Sequence, residues 1–240
     1  IKGTLNVIDI STRYKFIKSI VSITSAHCYE NQNKNISLKE TDKLGGNDPY
    51  SASKACSELL IKSYKNNYFT KKGISSVRAS NIIGGGDWSK NRLIPDCINY
   101  LKKDLKIKLR NPNHIRPWQF ILEPLRGYLL LAYKQYNYPK KFSSEWNFGP
   151  KNSDCISVKN VVKQIIYIYG KGSIQKIKSE FSENSYLKLN SLKAEKELNW
   201  KPIYNVKNSI KKTIEWYNLV INKKKNPKII TNKQINEYMK

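Results

Sequence analysis

The run Ser19-Ile20-Val21-Ser22-Ile23-Thr24 is apolar and rich in β-branched residues, and such a run reads as a buried strand of a parallel sheet. A polar loop from Glu30 to Asp48 carries Gly45-Gly46, then Pro49 opens a helix that Gly73 punctuates. Ile74 to Ser80 is a second strand. It runs into Asn81-Ile82-Ile83-Gly84-Gly85-Gly86-Asp87-Trp88, a loop of the kind that binds ligands at the carboxyl end of an α/β sheet. Helical periodicity covers Gly3 to Lys18, Arg92 to Lys103 and Leu122 to Tyr136. Strands alternating with helices predict an α/β fold with a parallel sheet. From about Asn152 the elements shorten (Val158 to Tyr169, Ser173 to Lys178, Ser191 to Leu198, Val206 to Tyr217), which marks a smaller lobe. The expected division is 1–151, 152–222 and a lysine-rich tail, 223–240, that is solvated and poorly ordered.

Within the helix after Pro49, Tyr50 and Lys54 lie four residues apart and so share one face. An ammonium beside a phenol favours the phenolate, which makes Tyr50 a proton acceptor for an alcohol. Ser25, at the end of the first strand, is placed to hydrogen-bond the same hydroxyl. Tyr14 and Lys18 have the same spacing, so the spacing alone does not choose between them.

The formal charge of +26 raises nucleic-acid binding as a possible function. The excess is mostly lysine, spread along the chain together with abundant Asn, Ile and Tyr, which is the signature of compositional bias. No nucleic-acid partner is expected. No apolar run approaches the roughly 20 residues that cross a bilayer, so no membrane partner is expected either. Cys28, Cys56, Cys97 and Cys155 are too scattered for a metal site or a disulfide framework, and a reduced cytoplasm is the expected setting. Gly84-Gly85-Gly86 lacks the spacing of a dinucleotide fingerprint and is expected to form a tight loop near a ligand.

Tyr50, Lys54, the strand end at Ser25 and Arg78-Ala79-Ser80-Asn81 resemble the extended short-chain dehydrogenase/reductase family. Further strings resemble its CDP-glucose 4,6-dehydratase branch: Gly84-Gly85-Gly86-Asp87-Trp88, Arg92-Leu93-Ile94-Pro95-Asp96, Arg110-Asn111-Pro112, Ile115-Arg116-Pro117-Trp118-Gln119, Trp146-Asn147-Phe148-Gly149-Pro150 and Tyr186-Leu187-Lys188-Leu189. The resemblance implies a Rossmann-like, doubly wound parallel sheet, present in part, with a smaller carboxyl-terminal substrate-binding lobe. It implies NAD as cofactor, a nucleotide-sugar substrate, a homo-oligomer (dimer or tetramer), and an amino-terminal glycine-rich segment that this chain lacks. By the same resemblance Thr24, Ser25, His27, Tyr50 and Lys54 are catalytic, and Tyr50, Lys54 and Ser80 touch the cofactor. Asn81, Arg92, Leu93, Arg110, Arg116 and Tyr186 bind substrate. Arginine is scarce in this lysine-rich chain, and its use at 92, 110 and 116 suits bidentate pairing with a diphosphate.

One string departs from the family. Where relatives place Thr-Ser-Asp-Lys, this chain has Thr24-Ser25-Ala26-His27, so the acid that would protonate a leaving hydroxyl is missing. Histidine can give or take a proton near neutrality, which makes His27 the candidate for that step. The departure also leaves open a nucleotide-sugar epimerase or 4-oxidoreductase, which needs Tyr50 and Lys54 but no acid at 26, or a non-catalytic remnant.

Overall fold

The computed structural model describes residues 1–30, 33–79, 81–178 and 184–240. In chain order, helix α1 (Lys2–Arg13) precedes strand β1 (Ser19–Ile23), and helix α2 (Pro49–Tyr68) leads into β2 (Gly73–Arg78) and β3 (Ile82–Ile83). Helix α3 (Leu93–Lys102) is followed by β4 (Ile107–Leu109), β5 (Ile115–Pro117), β6 (Gln119–Phe120) and α4 (Leu122–Asn137). The single turn α5 (Pro139–Phe142), β7 (Glu145–Asn147), β8 (Cys155–Ser157), α6 (Val158–Tyr169) and β9 (Ile174–Lys176) come next, then α7 (Val206–Tyr217) and α8 (Pro227–Tyr238).

These elements form two interleaved units in place of the sequential lobes expected at 1–151 and 152–222. The first comprises Ile1–Ser80, Glu123–Gly149 and Leu187–Pro202. The second comprises Asn81–Leu122, Pro150–Tyr186 and Ile203–Lys240. A cut at 151 fails because α4 and β7 return to the first unit after β3 to β6 have been built into the second.

The first unit is built on a parallel sheet in the order β1-β2-β7. Ser19 sits opposite Gly73 and Ile23 opposite Val77, while Ser76 to Arg78 face Glu145 to Asn147. Side chains of the central strand β2 alternate between faces, as the pleat requires. Ile74 packs with Ile8 of α1 and Ile61 of α2, and Ser76 and Arg78 bond Glu58 of α2. Ser75 turns the other way, to Gln135 of α4 and the Phe142 carbonyl of α5. Helices therefore cover both faces, the doubly wound arrangement the α/β reading called for. Gly73 is required by that packing, since a Cβ there would lie 2.1 Å from Gln135 Cγ. All six residues of β2 are buried. Strand β1, foreseen as buried at Ser19 to Thr24, pairs with β2 alone among the described residues, half-buried along its length and with Ile23 exposed.

The second unit packs α3, α6 and α7 around Ile98, Leu101, Val161, Ile165, Ile210 and Ile214. Strand pairs β3–β6 and β4–β9 are parallel, and β5–β8 is antiparallel. Gly85 lies flat on Trp216, where a Cβ would approach Cγ to 2.1 Å. The glycine triplet is thus closely packed inside this unit. The tail is also corrected: α8 is a capped helix, with Asn226 Oδ1 accepting from the Lys228 N–H at 2.9 Å. Ile230, Gln234 and Tyr238 form its buried stripe, and Thr231 Oγ1 accepts from Trp216 Nε1 at 2.9 Å. No helix of the described residues is long and apolar enough to cross a membrane.

Candidate active site

In the first unit, β1 continues past Ile23 as an extended segment: the Thr24 N–H donates to the Val77 carbonyl (2.9 Å) and the Ala26 N–H to that of Ala79 (3.2 Å). Ser25 then caps a short 3-10 turn, Ala26–Cys28, its hydroxyl accepting from the His27 N–H at 3.2 Å. The turn leaves His27 exposed and buries Ala26 to 1% exposure among Cys28, Leu38, Ala55 and Leu189.

Helix α2 begins where the sequence says it should. Asp48 is the N-cap, its carboxylate accepting from the Ser51 N–H (3.0 Å) and hydroxyl (2.5 Å), and Pro49 occupies the first turn. Those bonds, the Ser51 hydroxyl foremost, hold the Asp48 carboxyl below the usual carboxylate range, and the nearby His27 acts in the same direction. Tyr50, 53% exposed, meets His27 edge-on with ring centroids 5.9 Å apart, and Lys54 Nζ stands 5.7 Å from the Tyr50 ring centre. The chain contains five Tyr-x-x-x-Lys pairs, starting at Tyr14, Tyr50, Tyr68, Tyr136 and Tyr167. Of these, only Tyr50–Lys54 lies wholly inside one helix, so only it presents both groups on a common face.

The cap carries a prediction. Asp48→Ala should cost about 1 kcal/mol of stability and Asp48→Asn only a fraction of that, as read by urea unfolding. Because folding lowers the Asp48 pKa, its contribution is complete above the ordinary carboxylate range and fades as pH falls through the folded value. The gap between wild type and Asp48→Ala should therefore narrow in acid.

Beneath this surface runs a buried polar network. Glu58, two turns beyond Tyr50 and 2% exposed, receives Arg78 Nε on Oε1 (2.9 Å) and Arg78 Nη2 on Oε2 (2.6 Å). Thr24 Oγ1 donates to Glu58 Oε1, and Ser76 Oγ to Oε2 at 2.6 Å. Arg78 Nη1 donates to Tyr29 OH (2.7 Å), whose proton goes to Asn147 Oδ1 (2.8 Å). The network ties α2 to β1, β2 and β7, and so sets the height of Tyr50 above the strand end at Ser25. Burial, opposed by the Arg78 charge, pushes the Cys28 thiol up to about 12, so that sulfur stays protonated and inert.

The second unit contains a cavity of about 240 Å³. Leu93, Leu109 and Trp118 supply its apolar wall, with Arg110 and Arg116 as the cationic side and His114 beside them. Arg116, 8% exposed, donates from Nη1 to the Ile115 carbonyl at 2.9 Å and lies 3.2 Å through Nη2 from His114 Nδ1. Trp118 is fixed by its Nε1 bond to the Ile156 carbonyl at 3.0 Å. Asn81 lines the same cavity with φ at 49°, a left-handed conformation that Asn tolerates better than most residues.

Residues 1–213 match the GDP-mannose 4,6 dehydratase family. The chain belongs to it. Across its whole length it is 36% identical to CDP-glucose 4,6-dehydratase of Salmonella typhimurium, covering 69% of that protein. Among solved structures, dTDP-glucose 4,6-dehydratase of Bacillus anthracis in complex with NAD superposes on 90% of the chain at 23% identity, with a TM-score of 0.79. UDP-glucose 4-epimerase of Thermotoga maritima does so on 92% at 16% identity, also with a TM-score of 0.79. The chain spans 66% of the first of these structures and 70% of the second, about two thirds of either.

With the family established, the expected site residues sort as follows. Ser25, His27, Tyr50 and Lys54 stand together in the first unit. Thr24 is adjacent, but its hydroxyl is spent on Glu58, so its part is to position the strand end. Asn81, Leu93, Arg110 and Arg116 share the cavity of the second unit. Arg92 is not among the cavity residues; it is exposed and 3.8 Å from Asp87. Tyr186 pairs its backbone with Ile115 at the start of β5. Ser80 lies outside the described residues. Sequence reading missed Glu58 and Tyr29, whose only signal was a Glu inside an amphipathic helix and a Tyr after a turn, and it missed Asp96 and His114 as cavity residues.

Proposed function

We propose that the chain carries the proton-transfer machinery of an NAD-dependent nucleotide-sugar 4,6-dehydratase, converting CDP-glucose to CDP-4-keto-6-deoxyglucose. The observation that carries this reading is the gathering of Ser25, His27, Tyr50 and Lys54 at the carboxyl end of one strand. NAD, when bound, accepts the hydride from C4 and returns it at C6. Tyr50 and Lys54 fit that cofactor, because an exposed phenol with an ammonium beside its ring offers donors to ribose hydroxyls. Tyr50 takes the C4 hydroxyl proton while Lys54 stabilises the phenolate, and Ser25 hydrogen-bonds the same oxygen.

The 4-ketone acidifies C5–H, and loss of water across C5 and C6 then needs a base and an acid. Ala26 can be neither and its methyl is packed away from solvent, so His27, the titratable group of that turn, moves the proton. The reading includes a cytoplasmic dimer or tetramer supplying sugars for lipopolysaccharide O-antigen, as the family resemblance implies.

The test is incubation with NAD and CDP-glucose followed by mass spectrometry. A dehydratase product is lighter than substrate by one water. A second reading, a nucleotide-sugar 4-epimerase, is favoured by Ala26 alone, and its product would have the substrate's mass. His27→Gln should preserve the initial NADH signal yet lower the yield of dehydrated product about 10²-fold or more. Undiminished dehydration by that variant would remove His27 from the step.

A further inference from the structure

The cavity of the second unit mixes charges in a way that a diphosphate site does not require. Against Arg110 and Arg116 stands one acid, Asp96. It sits on α3 beside Cys97 and three residues after Leu93, so this face of the helix offers one carboxylate flanked by apolar surface. The carboxylate accepts the Asn91 backbone N–H and feels the charge of Arg110, while desolvation raises its pKa. In a chain with 18 acidic and 44 basic residues, an acid kept in an otherwise cationic cavity calls for a ligand group that it can serve.

Phosphate oxygens cannot be that group, since two anions in contact repel. A carboxylate is an acceptor only, and the part of a nucleotide sugar that suits the apolar side of a cavity and also donates hydrogen bonds is an amine-bearing base. We infer that Asp96 reads the nucleobase, accepting a hydrogen bond from the exocyclic amine of cytosine and disfavouring uracil. Uracil has the same outline but presents a carbonyl oxygen at that position, which would face the carboxylate with no proton between them. Leu93 and Leu109 then bound the ring, and the Arg110 guanidinium, which lines the same cavity, suits the phosphates. The inference rests on the nucleotide-sugar reading of this cavity and deepens it by naming the base.

Calorimetric titration of the 240-residue chain with CDP and with UDP tests the inference without requiring turnover. The wild type should bind CDP about 10- to 100-fold more tightly than UDP, the worth of one hydrogen bond to a charged group. Asp96→Asn, whose amide can donate to the uracil oxygen, should bring the two to near parity by weakening CDP and strengthening UDP. Asp96→Ala should weaken CDP alone. Equal affinity of the wild type for CDP and UDP would overturn the inference even if both variants failed to fold. Equal weakening of CDP and UDP by either variant would also overturn it, placing Asp96 on the ribose or in the scaffold. If the wild type binds neither nucleotide, the nucleotide reading itself fails, and the inference falls with it.

Discussion

Replacing Tyr50 by Phe should lower dehydration of the nucleotide sugar about 10²- to 10⁴-fold with no change in melting temperature. The substitution removes one oxygen from an exposed ring and keeps the edge-on contact with His27, so its cost falls on chemistry and not on folding. Proton removal from the C4 hydroxyl is the first step, and every later step depends on the ketone it yields. Single-turnover NADH absorbance should therefore be lost in Tyr50→Phe, whereas His27→Gln should still develop it. Wild-type turnover by the Phe variant would take Tyr50 out of the mechanism, whatever the family resemblance.

The second large effect concerns folding. Glu58→Gln should destabilise the protein by about 3–5 kcal/mol, because the Arg78 guanidinium, 1% exposed, loses its counter-charge while remaining buried. A surface pair of the same geometry would be worth a small fraction of this. Replacing both partners, as Glu58→Leu with Arg78→Met, should recover much of the loss, since no charge is then left buried. Urea unfolding of the single and double variants closes the cycle. A Glu58→Gln protein within 1 kcal/mol of wild type would show that water or rearrangement satisfies Arg78.

What could be read from the residues alone, and what could not, follows from the range over which each signal acts. The bounds of the short element at Val158 to Tyr169 are legible and match α6, whose flanking Ser157 and Gly170 are local signals. Helix α2 was legible for the same reason, through Asp48 and Pro49. The burial of β1 is not, since how far an apolar strand is covered depends on its neighbours in space. The Glu58–Arg78 pair joins residues 20 apart, and in sequence each looks like an ordinary surface charge. Helix α8 was lost to its lysines: the Ile230, Gln234 and Tyr238 stripe is short, one member is polar, and it has meaning only beside α7. Asp96 does not stand out in the sequence, because an acid in the first turn of a helix already has a local explanation in the helix dipole.

The interleaving of the two units bears on how the chain can be made. Synthesis runs from the amino terminus at about 5–20 residues per second, and a domain that is contiguous in sequence can complete itself as it emerges from the ribosome. Here the first unit must wait for Trp200, a fully buried side chain whose Nε1 donates to the Glu123 carbonyl. By then much of the second unit has already been translated. The nascent chain therefore carries the open face of α4 from its completion at Asn137 until Trp200 is added, and the point of commitment to the native state falls late. Slow codons placed between Asn137 and Trp200 would prolong that exposure, and the same codons placed after it would matter far less.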